Sequence, residues 1–338
     1  MTLPVSVRQR FEITPELAIR GYSSSGKAKA ERLDRALARL LPDVSRAELQ
    51  RWIREERVWL NGEVQGASTS LREGDVVEVE PAPPALSDAL PDPGVVYDVV
   101  YEDPHLLVVD KPAGLVVHPG AGHPSGTLVN GLLARPGFQA LPVDARDPEG
   151  FLRPGIVHRL DKDTSGLLVV ARDAATREGL KAQFEAHSID REYQALTLGV
   201  PKTGSFETFH GRHPVHRQRF TSLLGQGRRA VTHIELLESF GLAALVSCRL
   251  ETGRTHQIRV HLAEQSKTPI IGDALYGRRS NDPRLTEIAS RLDRQALHAA
   301  ELGFTHPATG ERLLFRSALP PDFAAALEAL RELAVRAR

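Results

Sequence analysis

From Glu31 the apolar residues fall at helical spacing, and Leu33, Ala36, Leu37, Leu40 and Leu41 share one face. Pro42-Asp43-Val44 interrupts that helix. Ser45-Arg46-Ala47-Glu48 then reads as a capping box opening a second one, with Leu49, Trp52 and Ile53 as its apolar side. The period next shortens. Val58-Trp59-Leu60 and Val64 flank Asn61-Gly62, a hairpin turn signal, and Gly74-Asp75 leads into Val76-Val77-Glu78-Val79. Two short helices and a small sheet therefore make a unit over residues 31–80. Residues 1–30 are weakly patterned and read as a flexible lead. Residues 81–94 hold five prolines, which make an extended, semi-rigid spacer and a domain boundary.

Residues 95–338 form the second domain. Strand-like runs cover residues 95–101, 106–109 and 115–117, and Thr127 caps a short helix through Leu128, Val129, Leu132 and Leu133. Residues 174–186 make a helix with Leu180 and Phe184 inward. Residues 191–198 alternate as a strand, with Tyr193, Ala195 and Thr197 on one face. Two more strands cover residues 231–237 and 242–250. After a turn at Gly253, Thr255 caps a helix, and Arg254 beside that N-terminus makes an anion site. A last helix has Phe323, Leu327 and Leu330 on its apolar side.

Composition narrows the function classes. A length of 338 residues suits two domains, and 41% hydrophobic with 25% charged residues suits a soluble core. The apolar runs are too short to span a bilayer, and no N-terminal apolar segment with a cleavage site appears, so the cytoplasm is the expected compartment and no membrane partner is expected. The single cysteine, Cys248, excludes an intramolecular disulfide and a Cys-rich zinc site. Net charge is zero, so any polyanion must be held by local segregation of charge. Two segments offer it. Residues 32–57 carry seven arginines against five acids. Residues 210–230 carry Arg212, Arg217, Arg219, Arg228 and Arg229 with no acid. His210, His213 and His216 recur every three residues there, but Pro214 opposes a helix that would align them, and no carboxylate or cysteine stands near. Phosphate contact, with no metal, is the expected role. Gly21 to Ala28 nearly spells a phosphate-binding loop, yet Ala28 lacks the hydroxyl such a loop needs.

The sharpest chemistry lies between two apolar segments. Ile156-Val157 runs into His158-Arg159-Leu160-Asp161-Lys162-Asp163, the turn Thr164-Ser165-Gly166 follows, and a strand-like run begins at Leu167. On residue types alone this is a surface turn with Asp161 solvated or capping. The stretch nevertheless resembles the catalytic motif of the RluA/RluD-type pseudouridine synthases. Further matches follow in the same chain order: the segment from Val109 to Asn130, Glu192-Tyr193-Gln194-Ala195, Thr252-Gly253-Arg254-Thr255-His256-Gln257-Ile258-Arg259, Pro269 to Gly277, and Leu297-His298-Ala299. The first unit resembles the S4 RNA-binding domain at Arg32-Leu33-Asp34, Ser45-Arg46, Val58 to Gly62 and Gly74-Asp75. It departs at Glu55-Glu56, where S4 domains place a glycine, so a different turn is expected there.

The resemblance implies an α+β protein: a pseudouridine synthase catalytic domain with a mixed, mainly antiparallel sheet and flanking helices, plus a small α+β S4 domain. It implies an isomerase with Asp161 as the catalytic carboxylate, acting on a flipped-out nucleotide. Arg254 is its expected guanidinium partner. Tyr193 stacks on or positions the base, with Ile258 as an apolar wall. Arg159, flanked by His158 and Leu160, fills the vacated space or meets phosphate. Arg32, Arg35, Ser45, Arg46, Arg51 and Asn61 are the expected RNA contacts of the S4 unit. Breaking a glycosidic bond and forming a C–C bond oxidises nothing, so no cofactor is expected. The expected partner is a stem-loop of large-subunit ribosomal RNA, free or in pre-ribosomal particles, met by a monomer. Transfer RNA as substrate, and a non-catalytic S4-type RNA-binding protein, are the alternatives. An Asp/His hydrolase would need a Gly-x-Ser-x-Gly elbow or a His-Glu-x-x-His metal motif, and neither occurs.

Overall fold

A computed structural model describes residues 8–22, 28–42, 44, 46–81, 89–120, 122–138 and 153–336. The chain divides into two compact units, residues 1–88 with 142–154, and residues 89–141 with 155–338.

In the first unit the expected helices are Leu33–Leu40 and Arg46–Arg54, and Leu33, Ala36, Leu37, Leu49, Trp52 and Ile53 are buried. They pack on an antiparallel sheet whose strands lie in the order Gln9–Glu12, Val76–Val79, Val58–Leu60, Glu63–Val64. The first of these strands lies in what was expected to be a flexible lead. It pairs with Val76–Val79, and Ile13 just beyond it is buried and exchanges backbone hydrogen bonds with Gly74 and Asp75. An edge strand with Phe11 as its one apolar residue leaves little pattern to read. Ser45, the expected cap, lies outside the described residues.

The departure at Glu55-Glu56 changes less than expected. Glu56 takes the left-handed conformation that glycine usually fills (φ 58°). Arg57 N–H donates to Trp52 O at 2.8 Å and Glu56 N–H to Ile53 O at 3.2 Å, which is the Schellman closure of a helix. Asn61 (φ 53°) and Gly62 (φ 83°) make the expected hairpin turn.

The second unit is built on a ten-stranded sheet. Its central strands are Arg228–Ser239, Ala243–Leu250, Asp190–Leu198, Leu297–Thr305, Ser165–Ala171 and Leu106–Lys111, each hydrogen-bonded to the next. Every pairing is antiparallel except Leu297–Thr305 with Ser165–Ala171. Both faces of the sheet are covered. Leu107 and Val109 join the larger core with Leu168, Val170, Tyr193 and Val246, while Leu106 and Val108 join a second one with Leu167, Val169, Leu180 and Phe304. Leu106 to Val109 therefore reads as an unbroken apolar run. The parallel crossing needs Gly166: φ is 112°, and a Cβ there would meet Ala299 O at 2.3 Å.

Two expected elements differ. Residues 115–117 form no strand. Val116 O and Val117 O instead accept the N–H groups of Leu128 and Val129, which have no partner inside the helix Leu128–Ala134. Thr255 caps nothing. The helix after Gly253 is Gln257–Val260, preceded by His256 in the left-handed conformation (φ 58°), and it continues as a π-turn over His261–Gln265. So short a helix has little dipole to offer an anion.

Candidate active site

The Asp161 loop is held by its carbonyls. Thr164 N–H donates to Asp161 O at 3.1 Å and closes the turn. Fully buried Lys111 sends Nζ to Lys162 O (2.9 Å), Pro112 O and Leu115 O (2.8 Å each). Arg294, fixed by Asp322, donates to Asp163 O at 3.1 Å. Ahead of the loop, His158 Nε2 accepts Val169 N–H at 3.0 Å, and burial together with Arg191 pushes the imidazole pKa down to about 3. A neutral imidazole with its proton on Nδ1 satisfies that bond. His158 also lies against Phe184, with ring centroids 4.8 Å apart.

With the loop so fixed, Asp161 meets Arg259, not Arg254. Arg259 Nη1 donates to Asp161 Oδ2 at 2.9 Å, while its Nε and Nη2 donate to the two oxygens of Asp273 at 2.7 and 2.9 Å. The Asp273 side chain is completely buried and also accepts the N–H groups of Leu275 and Tyr276. Burial opposes ionisation of Asp273, but the Arg259 hydrogen bonds and charge outweigh it and hold the carboxyl below its usual range. The two carboxylates likewise overcome burial and raise Arg259. Arg254 lies before the left-handed turn at His256, and its Nε donates to Arg229 O at 3.1 Å. The turn separates the two arginines and sends only the later one to Asp161.

Gln257 secures that turn. Its Oε1 accepts Thr252 Oγ1–H (2.7 Å) and Arg254 N–H (3.0 Å), and its Nε2 donates to Val231 O and Thr232 Oγ1. His256 Nε2 stands 3.8 Å from Asp161 Oδ1. Tyr276 OH accepts Phe220 N–H and lies 2.9 Å from His256 Nδ1. Giving the phenol proton to that nitrogen leaves the imidazole proton on Nε2, toward Asp161. Burial lowers the His256 pKa and so favours the neutral ring, against the pull of the Asp161 charge.

These groups open on a cavity of about 460 Å³ lined by His158, Arg159, Leu160, Asp161, Tyr193, Arg254 and Ile258, among others. Tyr193 and Ile258 are buried apolar walls, and burial raises the phenol pKa. Leu160 is buried and Arg159 is exposed at the cavity edge.

The basic segment forms the outer strands. It is tied down where Glu264 Oε2 accepts Thr221 Oγ1–H, Ser222 N–H and Ser222 Oγ–H. Arg212, Arg217 and Arg228 are exposed. Arg219 lies over Tyr276, and Arg229 is paired with Glu207 and Glu251. His210 is buried against Phe220 and donates to Thr255 O, apart from the exposed His216.

In the first unit Arg35 is exposed, Arg32 is bidentate to Asp34, and Arg51 stands 3.9 Å from Glu55. The Arg46 side chain lies outside the described residues. Asn61 donates to Asp75 and accepts Val76 N–H, so its amide serves the hairpin.

The residues that sequence reasoning missed are Arg259, Asp273, Gln257, His256, Lys111 and Arg191. All but Arg191 lie inside the motif segments, where nothing in the sequence sets them apart from their neighbours.

A family model for RNA pseudouridylate synthase matches residues 105–264, and one for the S4 domain matches residues 31–77. Ribosomal large subunit pseudouridine synthase D of Nitrosomonas europaea is 43% identical over 304 residues, covering 89% of this chain and 85% of that protein. The chain belongs to the RNA pseudouridine synthase family. The ribosomal large subunit pseudouridine synthase D of Xanthomonas campestris pv. campestris is also 43% identical, over 92% of each chain. The solved structure of human RNA pseudouridylate synthase domain containing 4 matches with a TM-score of 0.54 at 26% identity, over 69% of this chain and 93% of that one. The family makes this chain an isomerase of α+β fold that acts on RNA, as its motifs imply. Among the described residues, no helix is long and apolar enough to cross a membrane.

Proposed function

We propose that this pseudouridine synthase isomerises uridines in a stem-loop of large-subunit ribosomal RNA, with Asp161 as the carboxylate that acts on a flipped-out nucleotide. The observation that carries the reading is the Asp161–Arg259 pair opening on a cavity walled by Tyr193 and Ile258. The names of the relatives support ribosomal RNA as substrate. Arg259 takes the partner role expected of Arg254, and Asp273 fixes its angle. Tyr193 and Ile258 sandwich the uracil, excluding water while the glycosidic bond is broken and the C–C bond is made. Arg159 occupies the space the nucleotide leaves. Residues 31–80 act as an RNA-gripping domain through Arg35 and its neighbours, residues 81–94 as linker, and residues 95–338 as the catalytic domain. The protein works as a monomer in the cytoplasm, on free RNA or pre-ribosomal particles.

Pseudouridine mapping of total RNA, with and without the gene, tests this. Signal should vanish at one or a few large-subunit uridines and return with the wild-type gene, while Asp161→Asn binds RNA and restores nothing. Loss confined to transfer RNA would overturn the substrate, and an active Asn variant would overturn the role of Asp161.

A further inference from the structure

Arg191 stands apart from the Asp161–Arg259–Asp273 chain, and its surroundings are unusual. Its side chain is buried at 8% exposure, on the strand that carries Tyr193, and it lines the Asp161 cavity. Nη2 donates to Glu251 O at 2.8 Å, and the guanidinium lies over the Phe184 ring at 5.2 Å. Nε is buried with no hydrogen-bond partner. Among the described residues no carboxylate pairs with Arg191. A buried cation lacking a counter-charge is costly unless a ligand supplies one.

A second cation is close by. Arg254 lines the same cavity and also lacks a carboxylate partner among the described residues. Burial lowers the Arg191 pKa, and the charge of Arg254 lowers it further. Gly253 allows the approach, since a Cβ there would stand 2.7 Å from Arg191 Nη1. Two guanidinium groups facing one cavity, one with an orphaned N–H, make a seat for a dianionic or diester oxyanion. Arg191, Arg254 and Tyr193 line the same cavity as Asp161, so a phosphate held by the two arginines sits beside a nucleotide that enters it.

We propose that Arg191 and Arg254 form a binding site for one backbone phosphate of the RNA strand, adjacent to the nucleotide presented to Asp161. This rests on the reading that the cavity takes an RNA nucleotide. The phosphate anchors the strand, and Arg191 and Arg254 are binding residues that leave the chemical step to Asp161 and Arg259.

The test is the salt dependence of binding to an in vitro transcript of large-subunit ribosomal RNA, in an Asp161→Asn background that stops turnover. Removing one phosphate contact on a single strand flattens log Kd against log [KCl] by about 0.7. Arg191→Gln with Arg254→Gln should show that flattening, and Arg191→Lys should keep the wild-type slope. In the Asp161 protein the double variant should raise KM about tenfold or more while kcat stays within about threefold, a split expected for a ground-state phosphate contact. An unchanged slope overturns the proposal, since a merely structural arginine would weaken binding equally at every salt concentration. Should Arg191→Gln fail to fold, Arg254→Gln alone carries the test by the same slope criterion. Absence of pseudouridine from the wild-type reaction would instead overturn the functional reading, and the slope is read without turnover.

Discussion

Asp161 and Arg259 meet at 2.9 Å across 98 residues of chain. Arg259 reaches the loop with one nitrogen only, because Asp273 holds its other two. The guanidinium can do both because it is a rigid fork, which an ammonium is not. Arg259→Lys should therefore lower kcat about 100-fold, the order expected for a misplaced reacting group. Asp273→Asn should lose part of that rate while folding is retained, as measured by pseudouridine formation and a thermal melt. Wild-type kcat in either variant would remove Arg259 from the chemistry.

Lys111 links the start of the domain to the Asp161 loop. Burial pushes its pKa down to about 7, opposed by Asp163 and Asp161. Three carbonyls need three N–H donors, which only the ammonium has. Lys111→Met fills the space and leaves all three carbonyls without that donor, at a cost of about 3 kcal/mol or more. Urea unfolding measures the loss. A midpoint within error of wild type would show the carbonyls finding other partners.

The lining of the cavity was legible from motif order, because Asp161, Tyr193 and Ile258 come from three separate motifs and meet there. Which arginine faces Asp161 was not legible. Arg254 and Arg259 stand in one short motif, and the choice depends on the left-handed His256 and the Gln257 bonds that hold the turn, which are backbone facts without a composition signal. Asp273 was hidden for a related reason: a buried acid is identifiable only once its cation is in place. In the small unit the helices were legible from apolar spacing. The strand Gln9–Glu12 was not, since its pairing partner lies more than sixty residues away and its own pattern is one aromatic among polar residues.

Acid should weaken the catalytic domain through its buried histidines. His261 is fully buried between Thr208 and Thr232, and burial, with His210 adding, pushes its pKa down to about 4. His158 is pushed to about 3. An unfolded chain takes up these protons near pH 6.5, so between about 6.5 and 4 the unfolded state binds more protons than the folded one. Stability is complete above that window and falls as pH falls through it. Urea midpoints at pH 7, 6 and 5 should decline in that order, with a shallower decline in His261→Gln. A pH-independent midpoint in the wild type would contradict the buried neutral state.

Glu56 gives the small unit an avoidable strain. It closes the helix Arg46–Arg54 in a left-handed conformation that costs a residue with a Cβ about 1–2 kcal/mol. Glycine removes that cost but loses about 0.5–1 kcal/mol through its freer unfolded chain. Glu56→Gly should thus stabilise the unit by about 0.5–1 kcal/mol net. No cap hydrogen bond is lost, because the closing bonds are backbone N–H groups of Glu56 and Arg57 to Ile53 O and Trp52 O. Hydrogen exchange at those two amides reads the local effect in the full chain, and both should exchange more slowly in the variant. Faster exchange would mean that the Glu56 side chain contributes more than its backbone strain removes.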